Sequence, residues 1–219
     1  LGNGGAEGVL YRLCTNDKKY RHIVISLTSG GKYKALLENN NIKVLSCNFR
    51  KTQLNFKEFY KILKLFDYYK PDIIQGWMYH GDLIASVISI LKKNKNLYWN
   101  IRNYTLDKKA RNFLTTFLTM KFCALISHKL PKKIICCSNN SIKYHISQGY
   151  KKSIFEYLPN GINTDIFKPN NLLKKQIKRK FNIKNNLFIF GTVARFDEQK
   201  DHKTLIMALK ILKGKSKDF

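Results

Sequence analysis

At 219 residues, with 44% hydrophobic and 13% aromatic residues, the chain can build one complete core and part of another, and it is too apolar to be a disordered polypeptide. Its net charge of +27, from 41 Lys and Arg against 14 Asp and Glu, would suit a polyanion, but the basic residues are spread along the whole chain, a pattern of compositional bias. The five cysteines form no C-x-x-C pair, which excludes a metal or disulfide framework read from spacing and predicts reduced, apolar core residues in a cytoplasmic protein.

In chain order, Gly4 and Gly5 precede a helix expected to start near Ala6. Short apolar runs then predict strands at 22–27, 43–47, 72–75, 97–101, 133–137 and 154–158, several of them apolar on both faces, as strands between two helix layers should be. Between them, Phe56, Phe59, Tyr60, Leu63 and Phe66 line one helical face that ends before Pro71. Asp82 is expected to cap a helix reaching about Lys92. A longer apolar helix covers about 113–126, interrupted by Lys121; core packing is its expected role, with lipid contact as the alternative. Alternating helices and apolar strands predict an α/β fold, a Rossmann-like parallel sheet with helices on both faces.

The composition changes after Leu158. Pro159, Asn160 and Gly161 read as a turn, a Lys-rich helix is expected at about 172–180, and a fresh strand at 187–194 with a helix at about 202–212 opens a second unit. Residues 187–219 are too few to bury a core of their own, so this second domain is expected to be incomplete. The first domain is expected to lack the strand that would feed the Gly4–Gly5 turn.

Several residues stand where a parallel sheet binds ligands. Gly4 and Gly5 leave the backbone N–H groups of a helix start open to a phosphate, although any tight turn would use the same residues. His80, expected in a loop beyond the strand at 72–75, can hydrogen-bond a sugar or move a proton, or be an ordinary loop histidine. Arg102, at the end of the strand at 97–101, can meet a phosphate or sugar, or form a structural ion pair. Arg195 and Lys200 sit five positions apart around a loop that leads into a helix, a spacing that two phosphates would suit, although a chain with 41 basic residues can place such a pair by chance.

The ordered series Asn3-Gly-Gly-Ala-Glu7, Asp72-Ile-Ile-Gln-Gly76 with His80, Cys137-Ser-Asn139, Pro159-Asn-Gly-Ile-Asn-Thr-Asp-Ile-Phe-Lys-Pro169 and Gly191-Thr-Val-Ala-Arg195-Phe-Asp-Glu-Gln-Lys200-Asp-His202 resembles the family 4 retaining glycosyltransferases. The resemblance implies two Rossmann-like domains of the GT-B type facing across a cleft. Residues 1–165 would be the acceptor-side domain, 166–186 a linker and helix, and 187–219 the first strand and helix of the donor-binding domain. It further implies that Arg195 and Lys200 hold the donor diphosphate and stabilise its departing charge, and that Gly4 and Gly5 close over the same phosphates. His80 would lie near the reacting sugar, with Arg102, Asn160 and Gly161 on the acceptor side. No metal or other cofactor is implied, only a nucleotide sugar as co-substrate and a cell-surface glycan or lipid-linked acceptor. The family's Glu-x(7)-Glu pair would fall beyond residue 219, so the chain as given is expected to be inactive alone.

Two rival readings remain at this level. A Rossmann-type nucleotide-binding dehydrogenase would need a G-x-G-x-x-G after a strand, which the chain lacks, and saturation with NAD would identify it. A basic module binding nucleic acid or an anionic surface would rest on the +27 charge, and salt-dependent oligonucleotide affinity would reveal it. Peripheral contact with the inner face of an anionic membrane is compatible with the transferase reading, and no nucleic-acid partner is then expected.

Overall fold

The computed structural model of the chain describes residues 1–47, 49, 56–106, 112–184 and 187–215. The chain divides into two compact units, Leu1–Gly161 and Ile162–Phe219.

In the first unit, α1 (Gly5–Asn16), β1 (Ile23–Ser26), α2 (Lys32–Glu38) and β2 (Lys43–Ser46) are followed by α3 (Phe56–Tyr69), β3 (Ile74–Trp77), α4 (Met78–Leu91) and β4 (Leu97–Ile101). Then come α5 (Phe113–Ile126), β5 (Lys133–Cys136), α6 (Asn139–Ser147) and β6 (Phe155–Tyr157). β1 and β2 form a parallel pair, and β3-β4-β5-β6 a four-stranded sheet in that order, parallel throughout. Helices flank these strands, giving the α/β architecture expected from the alternating apolar pattern.

β4 lies between β3 and β5, and its Leu97, Trp99 and Ile101 are fully buried. Met120 and Cys123 of α5, Ile134 and Cys136 of β5, and Tyr79 of α4 complete the core around Trp99. Burying each large apolar side chain contributes about 1.5–3 kcal/mol, so this layer is the main stabiliser of the unit. A second cluster joins Cys47, Ile62 of α3 and Ile88 of α4, with Leu27, Leu45 and Ile74 packed against them. All five cysteines are free. Four are buried, and Cys137, expected inside the strand, is half-buried just beyond the end of β5.

The junction of β3 and α4 differs from expectation. β3 starts two residues later than the run at 72–75 suggested, and the helix begins at once at Met78, in a left-handed conformation with φ 63°. A side chain rarely adopts that conformation unless its surroundings hold it. Gly76 makes the junction feasible: a Cβ there would lie 2.5 Å from the Cα of Asp82. Asp82 is therefore not a cap; it is fully buried within α4.

The second unit contains α7 (Asn171–Lys180) and α8 (His202–Lys215). Asn170 caps α7 by accepting a hydrogen bond from the Leu173 N–H at 3.0 Å. The strand expected at 187–194 does not form. A strand's N–H and C=O groups need partners on a neighbouring strand, and none pairs with this segment among the described residues. Phe188 is 67% exposed, and no residue of α8 is buried. The end of the expected second domain, 216–219, lies outside the described residues. Among the described residues, no helix is long and apolar enough to cross a membrane.

Candidate functional site

The carboxyl edge of the four-stranded sheet collects most of the expected acceptor-side residues. Trp77, the last residue of β3, lies opposite Asn100 of β4, and Arg102 follows two positions later. The Arg102 Nε donates to Asn100 Oδ1 at 2.6 Å, and its Nη1 donates to Asn160 Oδ1 at 2.9 Å. The guanidinium also stands over the Trp77 ring, 5.6 Å from its centroid. Arg102 and Asn160 thus meet, joined by Trp77 and Asn100, which no sequence motif marks. Gly161 adjoins Asn160 and is exposed, with space around its Cα.

His80 sits on the same sheet edge but in the first turn of α4, not in a loop before it. Its ring is exposed and makes no hydrogen bond to any described residue. Burial nearby nevertheless lowers its basicity, so it is neutral near pH 7 and can accept or donate a proton.

Beneath this edge lies a buried polar chain. The His145 ring is fully buried, and burial lowers its pKa, so it is neutral. Its Nδ1–H donates to the Ser141 carbonyl at 2.7 Å, which leaves Nε2 to accept from the Tyr79 hydroxyl at 2.8 Å. Ser141 Oγ donates to the Asn103 carbonyl at 2.6 Å. The chain links the residue before His80 to the residue after Arg102 and so braces both. The helix that carries it, α6, has too few apolar residues to show as a stripe. Its legible signals were Ser138, which accepts from the Ser141 N–H at 3.0 Å, and Gly149 after its end, with φ 102°.

Asp82, under the same edge, is buried with no well-formed hydrogen bond to either carboxyl oxygen from the described residues. Desolvation raises its pKa well above the ordinary carboxylate value, against a smaller opposing pull from the Asn100 backbone. A neutral acid is the state this site favours.

Gly4 is the N-cap of α1, and no side chain caps it. The carboxylate of Glu7 folds back onto Gly4, where a Cβ would meet Glu7 Oε2, whereas Gly5 has open space. The helix start is therefore open at Gly5 and shielded by a carboxylate at Gly4.

In the second unit, Arg195 and Lys200 occupy one exposed loop. Arg195 faces Asp197 at 3.7 Å, and its carbonyl accepts from the His202 ring at 2.8 Å. His202 also stacks on Phe196, with centroids 5.5 Å apart. The Lys200 N–H donates to the Asp197 carbonyl at 3.0 Å, closing a turn that leads into α8. Both cations thus belong to one short turn, with their charged ends in solvent. No group of three or more His, Cys, Asp or Glu among the described residues could hold a metal ion.

The chain matches the family described as Glycosyltransferase Family 4 over residues 3–166. No curated protein sequence matches it. Among solved structures, it resembles HepE of Anabaena in complex with UDP, with a TM-score of 0.78 and 18% identity over 94% of this chain and 54% of that one. HepE in complex with UDP-glucose aligns with a TM-score of 0.66 at 17% identity, over 90% of this chain and 52% of the other. A glycosyltransferase from Rickettsia africae ESF-5 aligns with a TM-score of 0.71 at 19% identity, over 98% of this chain and 56% of the other. The chain thus spans about half the length of the structures it matches.

Proposed function

Because the chain belongs to glycosyltransferase family 4, we propose that it supplies the acceptor-side part of an enzyme that moves a sugar from a nucleotide-sugar donor to a cell-surface glycan or lipid-linked acceptor, retaining the anomeric configuration. The observation that carries this reading is the family match over residues 3–166, which takes in the sheet edge with His80, Arg102, Asn160 and Gly161. The likeness to HepE, solved with UDP and with UDP-glucose, supports a nucleoside-diphosphate sugar as donor.

In this reading, Gly4 and Gly5 offer main-chain N–H groups to the donor phosphates. Arg195 and Lys200 meet the negative charge that grows on the leaving diphosphate as the sugar bond breaks. Neutral His80 hydrogen-bonds the transferred sugar or its acceptor near the reacting carbon. The protein works in the cytoplasm, at the inner face of the cell membrane. Leu114, Leu118, Phe122 and Leu125, one helical turn apart on α5, are each half or more exposed, with Lys121 and Lys129 beside them. Apolar insertion flanked by cations suits an anionic lipid surface.

The 219 residues alone are expected to be inactive, because among the described residues no buried apolar cluster supports the loop of Arg195 and Lys200. The test is a donor screen on the chain extended to the length of its structural relatives. Arg195→Ala and Lys200→Ala are each expected to lower kcat about a hundredfold or more. Undiminished transfer in both variants would reject the assigned roles.

A further inference from the structure

Arg102 is oriented without being neutralised. Its hydrogen bonds go to the amide oxygens of Asn100 and Asn160, at 2.6 and 2.9 Å, and to the Leu158 carbonyl at 3.5 Å. All three acceptors are uncharged, and Arg102 makes no ion pair with any described residue. Asn100 is 1% exposed and sits within the sheet, so the anchor at Nε is rigid. Trp77, from the neighbouring strand, covers one face of the guanidinium.

These contacts use Nε and Nη1 and leave both N–H groups of Nη2 without a described partner. A guanidinium presents donors in a fixed planar fork, so fixing one side aims the other. The arrangement costs the chain the immobilisation of a long side chain, and it returns no cancelled charge. A structural arginine would ordinarily be paired with a carboxylate. The sheet edge therefore presents a pre-oriented cation with two open donors, beside an indole ring of the kind on which a sugar face can lie.

We propose that Arg102 is the oxyanion-recognising residue of the acceptor subsite, so that the acceptor carries a phosphate or carboxylate group close to its reacting hydroxyl. The anion accepts hydrogen bonds from Nη2, and Trp77 packs against the adjoining sugar ring. Asn160 and Asn100 are positioning residues that hold the fork. This inference rests on the reading that the first unit takes the acceptor, and it narrows that acceptor from any glycan to an anionic one.

The test is an NMR titration of the 219-residue chain with inorganic phosphate, glucuronate and glucose in turn, following the Trp77 indole N–H and the Arg102 Nε–H signals in moderate salt. Saturable shifts with phosphate, glucuronate or both, and none with glucose, are expected. Response to phosphate alone assigns a phosphorylated acceptor, and response to glucuronate alone a uronic acid. Arg102→Gln should weaken binding about tenfold or more, as expected for the loss of a charge-assisted pair, while its far-UV circular dichroism shows the fold retained. Arg102→Lys should recover only part of it. Equal shifts in wild type and Arg102→Gln, a response to glucose alone, or a response to none of the three would overturn the proposal. The double variant Arg195→Gln/Lys200→Gln separates the two readings. If it abolishes the Trp77 shift, the anion belongs to the donor loop and the Arg102 proposal fails. If UDP-sugars do not bind the extended protein while the Trp77 shift persists, the transferase reading fails and the Arg102 site stands.

Discussion

Two segments of similar composition meet opposite fates in this chain. Residues 133–137 and 187–194 are both short apolar runs with β-forming residues, and both read as buried strands. The first is β5, paired on both sides by β4 and β6, with Ile134 and Cys136 completely buried. The second forms no strand, and its Val193 is fully exposed. The difference lies in neighbours: a parallel strand has no hydrogen-bond partner within itself, so a run becomes a strand only when other strands satisfy its backbone.

Substitutions in the two regions test that contrast. The largest effect is expected for Trp99→Ala, which empties the middle of β4 and should cost about 3–5 kcal/mol in denaturant unfolding. Phe188→Ala, at an exposed site, should change it by less than about 0.5 kcal/mol. Comparable losses would mean that the second unit is packed after all. Next comes Gly76→Ala, whose Cβ meets the Asp82 backbone, with an expected cost of about 1–3 kcal/mol. Gly191→Ala, with nothing within 4 Å, should be near neutral and serves as its partner measurement.

A smaller effect follows pH. The folded-state pKa of Asp82 lies above the ordinary carboxylate value of 3.8, so the folded state holds this proton more tightly than the unfolded state. The stability that the neutral acid contributes is complete below about 3.8 and is lost as pH rises toward the folded value. His145 acts in the other direction: its folded pKa lies below 6.5, so its contribution is present above 6.5 and is lost as pH falls through the folded value. Asp82→Asn, which cannot ionise, should remove the loss on the rising side and leave the acid-side loss in place. Parallel stability profiles for wild type and variant from pH 4 to 7 would contradict the buried-acid assignment. A change of about 1 kcal/mol is expected for Ser138→Ala, from the lost cap of α6, measured as a shift in the same unfolding curves.

Much of the first unit was legible because its elements obey local rules. The stripe from Phe56 to Phe66 became α3, the run at 97–101 became β4, and Arg102 appeared at the strand end with Asn160 beside it. The β3–α4 junction was not legible, because a capping rule reads Asp82 as a helix start. A helix that follows a strand without a loop needs Met78 in a left-handed conformation, and nothing in residue type announces that. The same junction moved His80 from a loop into a helix. Trp77 and Asn100 escaped notice because their role comes from strand register, which places them opposite each other, rather than from any motif. Tyr79, Ser141 and His145 are brought together by packing between α4 and α6, at a sequence separation of 66 for the Tyr79–His145 bond, where no spacing rule reaches.

Product analysis with the chain extended to the length of its structural relatives tests the proposed sugar transfer from a nucleotide donor. Incubation with a panel of nucleotide sugars and an anionic glycan acceptor should yield a lengthened acceptor whose new linkage keeps the donor's anomeric configuration by NMR. Absence of a transferred sugar from every donor, or a new linkage of inverted configuration, would contradict the account.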